Sequence, residues 1–479
     1  MIFLKKLFRR AAVSERRSGQ MSIWLALGFS VFLALYLVCL ESVRMQSARR
    51  QAEQAAESGL FSLFSEYEPH LLKEYSLFAL DTSFRSGTEN MDEICAHLWK
   101  FTELNTADAE GKAQEGLALQ GVSVKDPVRL TDGQGAVFYR QAVQVIKEET
   151  GLSLAEDWIF DEAFQQKLED DSRSFQEDCE MYEGSVVDYE YEEGEEEMSS
   201  EAENWDGMWN RFTLQQVMDQ PDAISQKEIS LEQVPSHRTL SRGTGTELGT
   251  EDTVLNKQLF ISYLCEYMRH AADMAEEVEN DRYLDYELEY ICRGNASDAQ
   301  NLEETVRRIL LLREGVNYGY LLTDEEAKAK AELLAVVLAA VTGNEALVKG
   351  VKHLILLGWA YGESLVEVRQ LLKGQEVVLI KTKEDWQVPL SGIIALMGNP
   401  GAYDEQKTEQ KGMSYESFLR LFLTIQSSET LAMRGLDIIE SQLQKNAGCE
   451  RIHVDHCIDR LTAQIWMDSL QMERSYRYE

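Results

Sequence analysis

Met21 to Leu40 reads MSIWLALGFSVFLALYLVCL, twenty consecutive residues without a charge. As an α-helix this run spans ~30 Å, the hydrocarbon thickness of a bilayer, and it predicts a transmembrane helix. A core helix of a soluble protein seldom runs so far without a polar stripe. Upstream, residues 1–20 carry Lys5, Lys6, Arg9, Arg10, Arg16 and Arg17 against Glu15, a local charge of +5. The positive-inside rule places this basic segment in the cytoplasm and the bulk of the chain outside it, as a single-pass protein of the cell membrane. A secretory signal has a shorter apolar core and ends at a small-residue cleavage site, whereas this run continues through Val38, Cys39 and Leu40 into Glu41. The expectation is therefore a retained anchor. Val38 in front of Cys39 also argues against a lipoprotein cysteine.

Downstream, apolar and small residues recur at helical spacing through Ala48, Ala52, Ala55, Ala56, Gly59, Leu60, Leu63 and Phe64, and Pro69 ends the pattern. The membrane helix is expected to continue outward as a long amphipathic helix. Its stripe Ala48, Ala52, Ala55, Ala56 and Gly59 has two readings: a stalk packed on its own ectodomain, or a face that packs on identical or similar helices, because small side chains let backbones approach closely.

The remainder is strongly acidic. With 83 Asp and Glu against 47 Lys and Arg, the 479 residues carry a net charge of −36. A polyanion of this kind lacks the counterion release that drives association with nucleic acid, so no nucleic-acid partner is expected. Length suggests about three domains, or two with a linker. Only six prolines interrupt the chain, which favours helices.

Patterning divides the chain into a basic cytoplasmic segment (1–20), a transmembrane helix (21–40), a membrane-proximal helix with the first part of an α+β ectodomain (41–169), an acidic insertion (170–250) and a helical C-terminal part ending in a β-hairpin (251–479). Leu117, Leu119, Val122 and Val124 suggest a strand. Asp132-Gly133-Gln134-Gly135 is a turn leading into a helix over about 136–149. Residues 186–206 hold ten Asp and Glu and no Lys or Arg. Such a run repels itself and buries little, so 170–250 is expected to be mostly disordered or loosely attached. Helical periodicity returns over roughly 256–277, 282–293, 298–315, 323–342, 344–372 and 414–445. Alternation from Ile452 to Met467 predicts a terminal hairpin that pairs with the strand near 117–124. The fold class expected is α+β, helix-dominated, with a small extracytoplasmic sheet.

Little in the sequence calls for catalysis. Cys449, His453, His456 and Cys457 have a spacing foreign to zinc sites, and on a strand His453 and His456 would point to opposite faces. No metal or other cofactor is expected. The glycines Gly243, Gly245 and Gly249 lack both a preceding strand and a following Gly-Lys-Ser/Thr. Tyr283, Tyr286 and Tyr290 fall at i, i+3 and i+7, on one helix face, either packed in a core or offered to a partner.

The order of basic N-terminus, Gly19-Gln20-Met21-Ser22-Ile23-Trp24, apolar run, Glu41-Ser42-Val43-Arg44 and alanine-rich helix resembles the TadE/TadG-like pseudopilins of Tad/Flp pilus systems. More closely, the chain resembles a family of unknown function encoded with such systems in monoderm bacteria. Further stretches carry that resemblance: Tyr67 to Asp81, Leu130-Thr131-Asp132, Tyr283 to Ile291, Ala360-Tyr361-Gly362-Glu363-Ser364, Ile380-Lys381-Thr382 with Asp385-Trp386, and Tyr415 to Leu423. Peptidase-processed pilins have Glu at the fifth position after the cleavage glycine. Here Trp24 stands there, which favours an uncleaved accessory or assembly component. The resemblance implies a non-enzymatic, membrane-anchored subunit whose partners are the bilayer, through residues 21–40, and other pilus or secretion-system subunits or itself. The rival expectation is a membrane-anchored cell-envelope enzyme or sensor.

Overall fold

A computed structural model describes residues 2–107, 116–150, 213–218, 224–246, 252–275, 282–339, 345–379, 381–393, 396, 399–403, 412–468 and 470–478, with side chains of the first helix from Met21 onward. The chain is α+β and helix-dominated, as its periodicity predicts. The first elements are α1 (Ile2–Phe64), α2 (Pro69–Tyr75), β1 (Leu80–Asp81), α3 (Met91–Thr106), β2 (Leu119–Arg129) and α4 (Asp132–Thr150). Then come α5 (Val254–Tyr267), α6 (Glu287–Arg293), α7 (Asp298–Thr323), α8 (Glu325–Ala339), α9 (Glu345–Leu372), α10 (Tyr415–Ile425) and α11 (Ser428–Lys445), and last β3 (Cys457–Met467) and β4 (Leu470–Arg477).

The chain forms two compact units. One comprises residues 1–66, 90–127 and 460–478. In it the outer part of α1 packs on α3. Ala52, Ala55, Ala56, Leu60, Leu63 and Phe64 are buried on α1, and Ile94, Leu98, Thr102 and Thr106 on α3. A Cβ on Gly59 would lie 2.5 Å from Thr102 Oγ1 and 3.2 Å from its Cα, so the two helices approach as closely as they do only because residue 59 has no side chain. The terminal hairpin completes this unit. β4 pairs antiparallel with β3 from Arg460↔Arg477 to Met467↔Leu470. Its aromatics fold onto the end of α1: Phe64 lies 4.7 Å from Tyr476 and 5.0 Å from Tyr478, whose hydroxyl donates to the Phe64 carbonyl at 2.5 Å. β2 also neighbours β3, as expected for the 117–124 strand, although it runs on to Arg129, and β1 pairs antiparallel with the start of β3 at Leu80↔Ile458 and Asp81↔Cys457.

The second unit, residues 67–89 and 128–459, holds the main apolar core. Helix ends are set locally. Glu68 caps α2 ahead of Pro69, Thr253 caps α5, and Ser414 and Ser427 cap α10 and α11. The single helix expected over 414–445 is therefore two, because the Ser427 hydroxyl takes the N–H of Thr430 at the start of the second. Periodicity over 282–293 likewise overestimates α6, which begins only at Glu287. The turn read at Asp132–Gly135 is present as the non-helical first residues of α4: Gly133, Gln134 and Gly135 have φ of 62°, 57° and 84°. A Cβ on Gly135 would come within 2.8 Å of the Ala432 methyl, which is how α4 docks on α11.

Most of the acidic insertion expected over 170–250, including the run 186–206, lies outside the described residues. Its far boundary needs correction. Residues 224–246 form an ordered strap: Ser225 donates to Asp298, Ser236 to Asp437, Arg238 to Glu440, and the Gly243 N–H to Asp132. Polar composition misleads here because the strap is held by hydrogen bonds to buried acids as well as by Ile229 and Val234, which are buried in the main core.

Candidate functional site

α1 changes character along its length. From Met21 to Leu40 every residue is exposed, Trp24, Leu25 and Val38 among them, although nearly all are apolar. Met21–Phe64 is one helix long and apolar enough at its N-terminal end to cross a membrane, as an anchor or as a signal sequence. Beyond Arg50 the stripe residues turn inward. Ala52, Ala55, Ala56 and Gly59 are buried and Ala48 half-buried, and what covers the stripe is the chain's own α3 and β4. Of the two readings of the stripe, the structure has the packed stalk: small residues admit α3, so this surface is not free for a neighbouring subunit.

Of the two readings of Tyr283, Tyr286 and Tyr290, their burial fits packing in a core. Tyr286 and Tyr290 are buried and Tyr283 packs on the same core. With α6 starting at Glu287, only Tyr290 of the three is helical. Tyr290 donates its hydroxyl to Asp437 at 2.8 Å, and the Tyr286 hydroxyl accepts the Ser225 N–H. Around them lie acids with little counter-charge. Glu287 accepts from the Arg269 N–H at 2.9 Å, while Glu289 accepts from the Ala271 N–H at 2.9 Å and from the Tyr415 hydroxyl at 2.8 Å. The second oxygen of each accepts no hydrogen bond, although that of Glu287 lies 3.9 Å from the Arg282 guanidinium. Burial pushes both carboxyls up to about 7.

The histidines of the cluster are not on a strand; of its four residues only Cys457 is, at the start of β3. Val454–His456 is a 3-10 turn, so His453 and His456 meet edge to face at 5.5 Å instead of pointing apart. Cys449 turns toward Glu68 and Cys457 toward the His453 carbonyl, so the four do not converge on one point. Glu440, His453 and Asp455 bring ligand atoms within 4.8 Å of one another, as do Glu68, His70 and Cys449. In each triad a guanidinium already holds the carboxylates: Arg238 bridges Glu440 and Asp455, and Arg85 forks onto Glu68 at 3.0–3.2 Å. Arg238 and His453 also line an open cleft of about 510 Å³ with Glu232, Glu450 and Arg451.

A third polar cluster escaped sequence reasoning. Arg313 of α7 lies fully buried and forks onto Glu367 of α9, with both bonds at 2.8 Å, and caps the carbonyls of Val378 and Leu379. Lys381 pairs with Glu367 at 2.6 Å and with Glu363. Glu363 accepts the N–H groups of Gln387 and Val388. Burial alone would raise the Glu367 carboxyl, but Arg313 and Lys381 outweigh it and hold it at about 2. The available signal is the pair Glu363 and Glu367, one turn apart and the only charged residues from Leu354 to Val368. Two stretches that carried the family resemblance, 360–364 and 380–386, meet here through Lys381 and Glu363, and Tyr415 joins two others by its bond to Glu289. Those stretches are thus the polar joints of the core.

Residues 189–469, more than half of the chain, match the model of a family described as a family of unknown function (DUF5702). No curated protein and no solved structure matches the chain.

Proposed function

We infer that this chain, which belongs to the family of unknown function DUF5702, is a non-enzymatic subunit of a Tad-type pilus or secretion system. Residues 21–40 anchor it in the cell membrane, the basic N-terminus faces the cytoplasm, and both folded units lie outside. The observation that carries this reading is the continuity of α1. The exposed apolar half and the half buried against α3 are one helix without a break, ~66 Å from Met21 to Phe64, so a bilayer-crossing segment and a folded unit are joined rigidly rather than by a tether. Such a joint suits a subunit that must hold its position in an assembly. The sequence order around Gly19 to Arg44 is what directs the reading to pseudopilin-like proteins in particular.

With the stripe occupied internally, the surfaces left for other subunits are the exposed side of α1 just beyond the membrane, at Val43 and Met45, and the outer faces of the two units. Photo-crosslinking from positions 43 and 45 in native membranes tests the proposal. Adducts with other pilus-system subunits are expected. Adducts with lipid alone, or protection of the ectodomain when protease is added to wall-stripped cells, would refute it.

A further inference from the structure

α8 presents its larger side chains outward. Ala327, Ala331 and Ala335, one turn apart, are its buried face, the first two in the apolar cluster with Leu356, Trp359 and Ala360 of α9 and Leu321 of α7. Leu333, Leu334, Val336 and Val337 face solvent, Leu333 with 70% and Val337 with 61% of its surface exposed. A surface helix of a soluble domain has the reverse arrangement. Polarity also changes along the axis. At the base, Lys328 pairs with Glu325 at 2.6 Å, Lys330 with Glu326 at 2.8 Å, and Lys352 of α9 with Glu332 at 2.7 Å. From Leu333 to Asn344 the sequence has no charged residue.

A protein partner fits this pattern poorly. Among the described residues, four exposed side chains fall well short of the ~800 Å² that a standard interface takes from each side, and a protein-binding patch is ringed by polar residues rather than graded along one direction. A charged base and an uncharged end suit a bilayer interface, with lysine stems reaching back to the headgroups. The neutralised ion pairs at the base also make this a patch where the chain's overall negative charge does not oppose approach to lipid. A bilayer is at hand, because the same chain crosses it.

We propose that the end of α8, from Leu333 to Val337, inserts into the extracytoplasmic leaflet as a second, non-spanning membrane contact. The proposal rests on the membrane-anchored reading above. The test uses the full chain in vesicles of phosphatidylcholine and phosphatidylglycerol, with a benzophenone side chain in place of Trp24, Glu326 or Val336 in turn. Irradiation and intact-mass analysis are expected to give lipid adducts from positions 24 and 336 and none from 326. Leu333→Glu with Val337→Glu should abolish the adduct at 336 while leaving that at 24 and the thermal midpoint unchanged. Lipid adducts at 24 but none at 336, or a doubled chain mass at 336, would overturn the insertion and in the second case point to self-association. Absence of an adduct at 24 would instead sink the anchored reading, and this proposal with it.

Discussion

Glu367 and Glu289 are both fully buried acids in the same unit, and they are accommodated by opposite means. Around Glu367 the chain supplies Arg313 and Lys381, so the carboxylate stays ionised and its pKa drops to about 2. Around Glu289 it supplies a backbone N–H and a tyrosine hydroxyl, leaves one oxygen unpartnered, and the pKa climbs to about 7. The lesson is that a buried acid does not by itself mark a reaction site. Ion pairing makes the first a clasp between α7, α9 and the segment at 381. The second is a core polar joint that gives up its charge more readily than it finds a counter-ion.

The comparison breaks most visibly at Arg313. Arg313→Met should cost about 3–5 kcal/mol, because it strands Glu367 and Glu363 on a single lysine, and chemical denaturation of the full chain in detergent would measure it. A loss under about 1 kcal/mol would show that the clasp is not what separates the two sites. Glu289→Gln should act in the other direction. A folded pKa of about 7 against an ordinary 4.5 means the ionisation cost grows as pH rises from 4.5 through 7. The variant should therefore exceed the parent by about 3 kcal/mol at pH 8 and match it near pH 4. Glu367→Gln should behave inversely, destabilised at pH 8, with its deficit shrinking only as pH falls below 4.5 toward 2. Thermal melts across pH separate the two patterns.

Tyr415→Phe gives a smaller effect, about 1.5 kcal/mol lost at pH 8, since one donor to Glu289 disappears. Because that bond lowers the Glu289 pKa, the pH at which the dependence levels off should also move upward. The smallest effect is expected at the surface. Glu326 pairs with Lys330 and Lys383 and is held at about 2, yet it is exposed, and Glu326→Gln should leave the unfolding midpoint where it was. A clear shift there would mean that pairing matters as much outside the core as within it.

Of the candidate sites, the sequence made some legible and misjudged others. The stripe on α1 was readable as a helix-packing surface because alanine and glycine at helical spacing have few other uses, but its partner was not. Whether α3 or another subunit fills it depends on where residues 91–106 fold back, and nothing near residue 52 encodes that. The tyrosines at 283, 286 and 290 read as one face under a helical period that the chain does not follow before Glu287. The strap at 224–246 read as disordered because the acids that its donors reach, Asp298, Asp437 and Asp455 among them, lie 73 to 217 residues away.

What the sequence determined by itself is what arises from neighbours along the chain. The apolar run at 21–40, the amphipathic continuation to Phe64, the glycine turn at the start of α4 and the terminal hairpin each follow from local period, charge or backbone freedom. The tertiary structure alone decided which charges meet. Arg313 and Glu367 are 54 positions apart and Arg238 and Asp455 are 217 apart. Burial penalises an isolated charge far more than it penalises any local mismatch, so the placement of these ions answers to the packed whole.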